Sequence, residues 1–262
     1  MPSLNDQLNQ RMPQLRVTSV LIAVNALVFV AMLLSGAGLW HSQNGVQLAW
    51  GANFGPATQD GEWWRLGSAM FLHFGLLHFC LNMWALWDVG QWVERMYGHV
   101  RFAAIYFVAG LAGNLLSLVF HQGHAVSGGA SGAIFGLYGA LLGYLWLERS
   151  RIQRWEFRTL FWGAVGFSVV TILFGLLIPG IDNAAHIGGW ISGMLMGLLT
   201  KPHADSVRVP GWTKLSAGLL SLALVVAMTA NIPQRAYRWS DEKQVQREIS
   251  EFMQEDAAIT LA

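Results

Sequence analysis

A serine, two histidines and an asparagine stand near the starts of three separate apolar segments. Ser131 lies within SGGASGAIFG (residues 127–136), His78 and Asn82 are four residues apart, and His186 lies in an AHIGG run. A serine hydroxyl becomes an effective nucleophile when a neutral histidine takes its proton. The oxyanion that forms needs donors, which the Ser131 amide and the side chains of His78 and Asn82 could supply. These residue types predict acyl transfer, with Ser131 as nucleophile and His186 as base.

The stretch SGGASGAIFG could also serve as a phosphate-binding loop or as a surface for close helix packing. It lacks the lysine of a phosphate loop, and residue 133 is Ala, so it is not a nucleophile elbow either. Packing fits two stripes of small residues, which are Gly132, Gly136, Ala140 and Gly143, and Gly189, Gly193 and Gly197. Such stripes let membrane helices approach closely. If the two stripes meet, Ser131 and His186 come within hydrogen-bond reach. The same small residues would then serve both helix packing and the chemistry.

The composition indicates which elements must position these residues. The chain is 54% hydrophobic and 12% charged, whereas soluble domains are about 25% charged. Seven apolar stretches are long enough to cross a bilayer, at about 17–39, 70–93, 102–120, 131–147, 159–179, 183–200 and 213–231. The sequence therefore predicts an all-α, polytopic membrane helical bundle. We divide it into a short arm (1–16), a six-span core (17–200), a linker with an accessory seventh span (201–231) and a polar tail (232–262).

The basic residues indicate the orientation of the spans. With a cytoplasmic N-terminus, eleven of the sixteen Lys and Arg residues fall on the inside, while Arg65 alone lies in an outside loop between spans. The second, fourth and sixth spans then all begin at the outer surface, so the polar residues share one depth. Any one of them alone is more often structural, and it is their shared depth that indicates a site. A net charge of +1 without a basic patch argues against nucleic acid, and the single Cys80 excludes a disulfide framework.

At these residues the sequence closely resembles the rhomboid family of intramembrane serine proteases, over about residues 15–200. The matching motifs are Gly129-Ala130-Ser131-Gly132, His186 in AHIGG with the glycine stripe that follows, HFGLLHFCLN in the second span, Trp64-Arg65 in the first loop, and Glu94 with Gly98. The resemblance implies a six-helix core with an added seventh helix and a metal-independent, cofactor-free Ser131–His186 dyad. It also implies an oxyanion site formed by His78, Asn82 and the Ser131 amide.

Further residues are expected to support this site. The supporting set is Gly129, Gly132, Phe135, Gly189, His73 and Arg65. Phe135 occupies the position where the family often carries a Tyr packed against the catalytic His. Asp182 lies four residues before His186 and could reach it, but we expect an exposed interfacial side chain instead. The first loop, with four tryptophans, is expected to lie partly in the outer interface.

The resemblance implies that the substrates are single-pass membrane proteins, cut in or near their membrane segment. We expect the bilayer of a bacterial inner membrane, from the compact size and the lack of a targeting presequence, with the site opening to the outer side. Aromatic residues of the fifth span predict either a lateral gate or simple lipid-facing bulk; they are Phe161, Trp162, Phe167 and Phe174. Two alternative functions remain, a non-catalytic binder of transmembrane segments, and a metal or haem protein using His73, His78, His121, His124 and His186.

Overall fold

Helices dominate a computed structural model that describes residues 3–121, 125–201, 219 and 247–253. The helices are α1 (Leu4–Arg11), α2 (Val17–Leu34), α3 (Asn44–Ala49), α4 (Gly55–Gln59), α5 (Arg65–Ser68), α6 (Leu76–Tyr97), α7 (His99–Phe120), α8 (Ser131–Glu148), α9 (Arg154–Leu177) and α10 (Asn183–Thr200). A short 3-10 helix, Ala69–Phe71, follows α5, and two short strands, β1 (Asn53–Phe54) and β2 (Val126–Ser127), pair antiparallel. The all-helical prediction is confirmed apart from this strand pair.

Among the described residues, three helices are long and apolar enough to cross a membrane: α2, α7 and α9. A fourth span is obtained if the bent pair Arg65–Phe71 and Leu76–Tyr97 is counted as one. α8 and α10 have the length of a span, but glycines and polar residues lower their hydropathy. Several membrane-capable helices are thus present, while the predicted count of six core spans stays a prediction. The predicted seventh span, 213–231, lies outside the described residues except for residue 219.

The second predicted span is bent rather than straight. The helical segments on either side of residues 72–75 meet at 93°, and α6 begins only at Leu76, preceded by Gly75 with φ +147°. A side chain on Gly75 would overlap the main chain of Trp40, so both the conformation and the crowding require glycine here. His73 therefore lies in the bend before α6, whereas His78 and Asn82 lie in its first two turns.

α8 is the central helix of the bundle. Of its 18 residues, 15 are buried, and among the described helices its packing against α10 is the most extensive. Because neighbouring helices rather than lipid surround α8, it can carry small and polar residues that a lipid-exposed span would not tolerate.

The loop between α2 and α6 is folded, and Arg65 organises it. Nη1 of Arg65 donates to the carbonyl oxygens of Leu48 (2.8 Å) and Ala52 (3.2 Å), and Nε donates to Glu62 Oε2 (2.5 Å). Strand β1 of this loop pairs with β2, with Asn53 opposite Ser127. The loop thereby holds the segment that leads directly into Ser131.

Carboxylates fasten the end of the bundle opposite Ser131. Glu94, near the C-terminal end of α6, is fully buried and accepts the backbone N–H groups of Arg16 (3.0 Å), Val17 (2.8 Å) and Thr18 (2.8 Å). It therefore satisfies the free donors at the start of α2, as a capping side chain does. Lys201, which follows α10, forms a buried ion pair with Glu148 at the end of α8.

One described piece of the C-terminal tail contacts the folded loop between α2 and α6. Residues 247–253 are helical, and the ring of Phe252 lies edge-on to that of Phe54, with centroids 5.4 Å apart. This segment therefore lies at the same end of the bundle as β1 and the folded loop.

Candidate active site

Ser131 and His186 face each other at the N-terminal ends of α8 and α10. Ser131 is the first residue of α8, and its Oγ lies 2.9 Å from Nε2 of His186, which is hydrogen-bond distance. The histidine is 4% exposed, whereas Ser131 is half-buried. Its Nδ1 makes no hydrogen bond among the described residues. The geometry is that of a serine with an adjacent base and no acidic third member.

Contact between the two glycine stripes sets this distance. A methyl group on Gly189 would overlap the main chain of Gly132, and one on Gly193 would overlap that of Gly136. One on Gly197 would crowd Ala140. The predicted meeting of the stripes is confirmed, and the helix backbones come closer than side chains would allow.

Aromatic packing fixes the imidazole plane. The ring of Phe135 stacks on that of His186, with centroids 4.3 Å apart and an interplanar angle of 1°. Phe135 lies four residues after Ser131 and so occupies the same face of α8. Phe167 of α9 also packs against Phe135, with ring centroids 5.8 Å apart.

His78 and Asn82 lie beside the serine on α6. A side chain on Gly129 would come within 3.0 Å of Nε2 of His78 and 3.8 Å of Oγ of Ser131, so these two atoms border one small space. The Phe74 amide donates to Nδ1 of His78 at 3.3 Å; in a neutral ring this assigns the proton to Nε2, which faces that space. The Asn82 amide donates one hydrogen to the His78 carbonyl at 2.8 Å and has a second one available.

The backbone bends just before Ser131, whose amide donates to no acceptor among the described residues. Gly129 has φ +135°, and its N–H donates to the Ala69 carbonyl at 2.8 Å. Ala130 precedes α8 without a capping side chain, so the first amides of α8 have no partner within the helix. A helix start of this kind attracts negative charge.

Asp182 is not the exposed interfacial residue that we expected. Its side chain is 15% exposed and accepts four hydrogen bonds, which come from Ser117 Oγ (2.5 Å), Ser127 Oγ (2.6 Å), His121 Nε2 (3.2 Å) and the Ala185 amide (2.9 Å). It caps α10 and ties that helix to α7 and to β2. The carboxylate thus anchors both the helix that carries His186 and the strand that leads to Ser131.

These contacts shift the pKa values of Asp182 and His121. Burial opposes ionisation of the carboxyl group, but hydrogen bonds from His121, Ser117, Ser127 and the Ala185 amide outweigh burial and lower the pKa of Asp182 to about 2. The hydrogen bond to Asp182 raises the pKa of His121. The negative carboxylate is therefore the stable form over the neutral pH range.

Two residues of the supporting set lie outside the cluster around Ser131. His73 is fully buried behind His78, with ring centroids 5.2 Å apart, and Arg65 acts within the folded loop. Among the described residues no three His, Cys, Asp or Glu side chains are grouped as a metal site would require. His124 lies outside the described residues.

Sequence reasoning missed the partners of Asp182 and one acidic residue within a span. Ser117, Ser127 and His121 carry no motif, and only their convergence on one carboxylate reveals them. Asp88 of α6, in contrast, could have been found, because an acidic residue in the middle of an apolar segment is itself a signal.

Comparisons with known proteins agree with this architecture. A family model described as the Rhomboid domain matches residues 60–203, more than half of the chain. The rhomboid protease GluP of Bacillus subtilis (strain 168) is 36% identical over 216 residues, covering 80% of this chain and 38% of that protein. RHOMBOID-like protein 5 of Arabidopsis thaliana is 39% identical over 157 residues, covering 58% and 49% respectively. RHOMBOID-like protein 9, chloroplastic, of the same plant is 34% identical over 190 residues, covering 70% and 42%.

This chain spans less than half the length of each of these relatives, between 38% and 49%. The family model's match includes the three helices that carry Ser131, His186 and His78.

Proposed function

The chain belongs to the rhomboid family, and from this premise we propose that it is a serine endopeptidase that cleaves other membrane proteins. Membership and the membrane-capable helices make it a multi-pass integral membrane protein. The observation that carries the proposal is the 2.9 Å separation of Ser131 Oγ and His186 Nε2. This pair lies at the meeting point of two glycine stripes, with His186 buried and Ser131 half-buried, where a nucleophile and its base would be held together.

The proposed reaction proceeds through an acyl-enzyme. Oγ of Ser131 attacks the carbonyl carbon of the scissile peptide while His186 Nε2 takes the hydroxyl proton. The oxyanion is stabilised by the Ser131 amide, by Nε2–H of His78 and by the Asn82 amide. His186 then delivers its proton to the leaving amine. Water, deprotonated by the same ring, attacks the ester, and the ring returns this proton to Oγ of Ser131 as the acid product leaves.

The proposed substrates are single-pass membrane proteins cut in or near their membrane segment. A regular helix hides its carbonyl groups in its own hydrogen bonds, so cleavage needs a segment that unwinds easily. Water must enter from the end of the bundle covered by the folded loop, because polar groups deep in hydrocarbon are costly. We propose that this end faces the outside of a bacterial inner membrane and that the N-terminus is cytoplasmic.

Labelling with a serine-directed fluorophosphonate tests the proposal. Wild type should be labelled, and Ser131→Ala should abolish the label. His186→Ala should slow labelling by at least about 100-fold, because the hydroxyl then has no base. Ser168→Ala is the matched control, since this buried serine donates to the Ala164 carbonyl of its own helix and should not affect labelling.

Cleavage of a model single-pass substrate in liposomes provides the second readout. Chelators should leave the rate unchanged, since no step uses a metal. Cleavage that survives in both Ser131→Ala and His186→Ala would contradict the proposal. Binding of the substrate without cleavage by wild type would favour the non-catalytic alternative.

A further inference from the structure

Asp88 is an acidic residue in the middle of a membrane helix. It lies twelve residues after Leu76 and nine before Tyr97, the ends of α6, so roughly 18 Å and 14 Å of helix separate it from the two ends. It is half-buried. A short carboxylate at this depth cannot reach the headgroups, and ionisable residues so placed are functional by default.

The described residues around Asp88 satisfy only part of the hydrogen-bonding capacity of its carboxylate. The Tyr138 hydroxyl donates to Oδ2 of Asp88 at 3.0 Å. This is the one hydrogen bond of the Asp88 side chain within the described part of the chain. Tyr138 is itself buried and stacks on Phe167 of α9, with ring centroids 4.2 Å apart. Because the tyrosine is the donor, the carboxyl group acts as an acceptor, and its second oxygen remains available to another donor.

Asp88 belongs to an exposed face of α6. Leu77, Leu81, Trp84 and Asp88 are spaced by four, three and four residues, so they lie in one row. The first three are 67%, 55% and 60% exposed. A row of large apolar side chains with one carboxylate is complementary to a transmembrane helix that is apolar except for one hydrogen-bond donor.

α9 borders the same region and is only loosely packed. Just three of its residues are buried, Glu156, Ala164 and Ser168, and its Phe167 covers Tyr138. Tyr138 on α8 therefore contacts both α6 and α9, through Asp88 and Phe167. The exposed row of α6, Tyr138 and the exposed side of α9 together form what we call the α6–α9 face.

We propose that Asp88 is a specificity-determining residue, which accepts a hydrogen bond from a lysine, asparagine or glutamine in the transmembrane helix of a substrate that lies along the α6–α9 face. This inference rests on the proposed protease function and names a substrate feature for it. His78 and Asp88 are ten residues apart on α6, or about 15 Å. A substrate helix lying along α6 would therefore carry its donor about ten residues from the cleaved bond.

The chemistry at this depth favours a helix over other occupants. Lipid tails carry no hydrogen-bond donor. A donor on a transmembrane helix gains a partner in Asp88, and interhelical hydrogen bonds in bilayers stabilise such pairs measurably.

A substrate scan tests the inference on the wild-type protein. The full-length protein is reconstituted in phosphatidylcholine liposomes together with single-pass substrates. All substrates share one cleavage region, and the rest of each transmembrane helix is leucine. A lysine or asparagine is then placed at each position from six to fourteen residues beyond the cleaved bond. We expect KM to fall about threefold to tenfold when the donor is near position ten, with kcat changed little. A flat profile overturns the inference.

Variants assign the preference to the carboxylate. Asp88→Leu should give equal KM values for donor and leucine substrates. Combining Asp88→Leu with Trp84→Asp moves the carboxylate by one turn and should shift the preferred position by four residues toward the cleaved bond. Trp87→Leu is the matched control, since Trp87 is exposed but lies off the row; it should retain the preference. A preference that survives Asp88→Leu overturns the inference.

Fluorophosphonate labelling separates this inference from the proposed function. If neither the wild type nor any variant is labelled and no substrate is cleaved, the protease proposal fails, and the inference fails with it. If labelling and cleavage persist while the scan is flat, only the inference fails. If Asp88→Leu does not label, Asp88→Asn replaces it; its amide oxygen still accepts a hydrogen bond but carries no charge, so the preference for lysine should weaken.

Cross-linking identifies the occupant. Cys80 is exposed and lies two turns before Asp88. In Ser131→Ala protein it should cross-link to a cysteine placed in the substrate helix, and more efficiently when the donor is at position ten. Cross-linking between two copies of the protein, with none to substrate, would mean that a second copy covers this face and would overturn the inference.

Discussion

His186 is oriented by a ring rather than by a carboxylate. In a three-residue arrangement an acid holds the imidazole through Nδ1, but here Nδ1 has no described partner and Phe135 lies flat against the ring at 4.3 Å. Stacking fixes the plane of the imidazole, and the Ser131 hydroxyl fixes one edge.

Replacing Phe135 should therefore impair catalysis more than binding. We expect Phe135→Ala to lower kcat by about 10- to 100-fold, because the freed imidazole no longer points at Ser131. Phe135→Tyr keeps the stacked ring and should stay within about threefold of wild type. Kinetics on one model substrate check both variants, and a Phe135→Ala protein with wild-type kcat would contradict the role of stacking.

The Asp182–His121 pair predicts how stability depends on pH. The lowered pKa of Asp182 means that its contribution is complete above its ordinary value of about 4 and is lost only as pH falls toward about 2. The raised pKa of His121 means that its contribution is complete below about 6.5 and is lost as pH rises through the raised value. The pair should stabilise the protein most between about pH 4 and 6.5.

Melting curves in detergent check this expectation. Between pH 6 and pH 9 the apparent melting temperature should fall by about 1–3 °C more in wild type than in His121→Gln, since the His121 side chain is 40% exposed and a partly exposed ion pair contributes little. His41→Gln, outside the Asp182 cluster, should behave as wild type. An equal fall in wild type and His121→Gln would exclude the pair as its cause.

Local sequence predicted the close approach of Ser131 and His186 but not the role of Asp182. The first depends on repeats within two segments, Gly132-Gly136 and Gly189-Gly193, which are visible in the chain. The second depends on Ser117 and Ser127, which are far from residue 182 in sequence and reach it only after α7, β2 and α10 have packed.

At the scale of the elements, glycines decide how close α8 and α10 come. Gly193→Ala should insert a methyl group into the main chain of Gly136 and destabilise the protein by about 1–3 kcal/mol. Fluorophosphonate labelling should slow, because Ser131 and His186 separate. Gly166→Ala is the matched control, since a methyl group there meets no atom within 4 Å. Equal melting temperatures for the two variants would contradict close packing as the cause.

Other elements could not be predicted from one-dimensional patterns. The apolar stretch at 70–93 suggests one straight helix, but Gly75 and the crowding around Trp40 bend it by 93°. Strands β1 and β2 have two residues each, too few for an alternation to be seen, and they pair across more than seventy residues of chain. Only the folded loop brings them together.

At the scale of the whole molecule, the two ends of the bundle are built differently. The end near Glu94 is fastened by buried carboxylates, one capping α2 and another pairing with Lys201. The other end carries the folded loop, the Asp182 cluster and Ser131. This asymmetry fits the distribution of basic residues, which predicts that the Glu94 end faces the cytoplasm.

Labelling of single cysteines checks that orientation. In a Cys80→Ser background, Gln43→Cys in the folded loop should react with a membrane-impermeant maleimide in right-side-out vesicles. Ser150→Cys, between α8 and α9, should react only in inverted vesicles. Both side chains are exposed, so access to the reagent depends on the side of the membrane. The opposite pattern would reverse the proposed topology.

In the reaction proposed above, the enclosure of α8 would give the two reactants of hydrolysis perpendicular routes. Water would approach Ser131 along the axis of the bundle, whereas the proposed membrane-embedded substrate would arrive sideways, in the plane of the lipid. The encounter rate then depends on how many substrate molecules share each unit area of bilayer, and the volume of the surrounding solution has no part in it. A protease with this geometry responds to crowding in two dimensions, so expansion of the membrane alone would slow it.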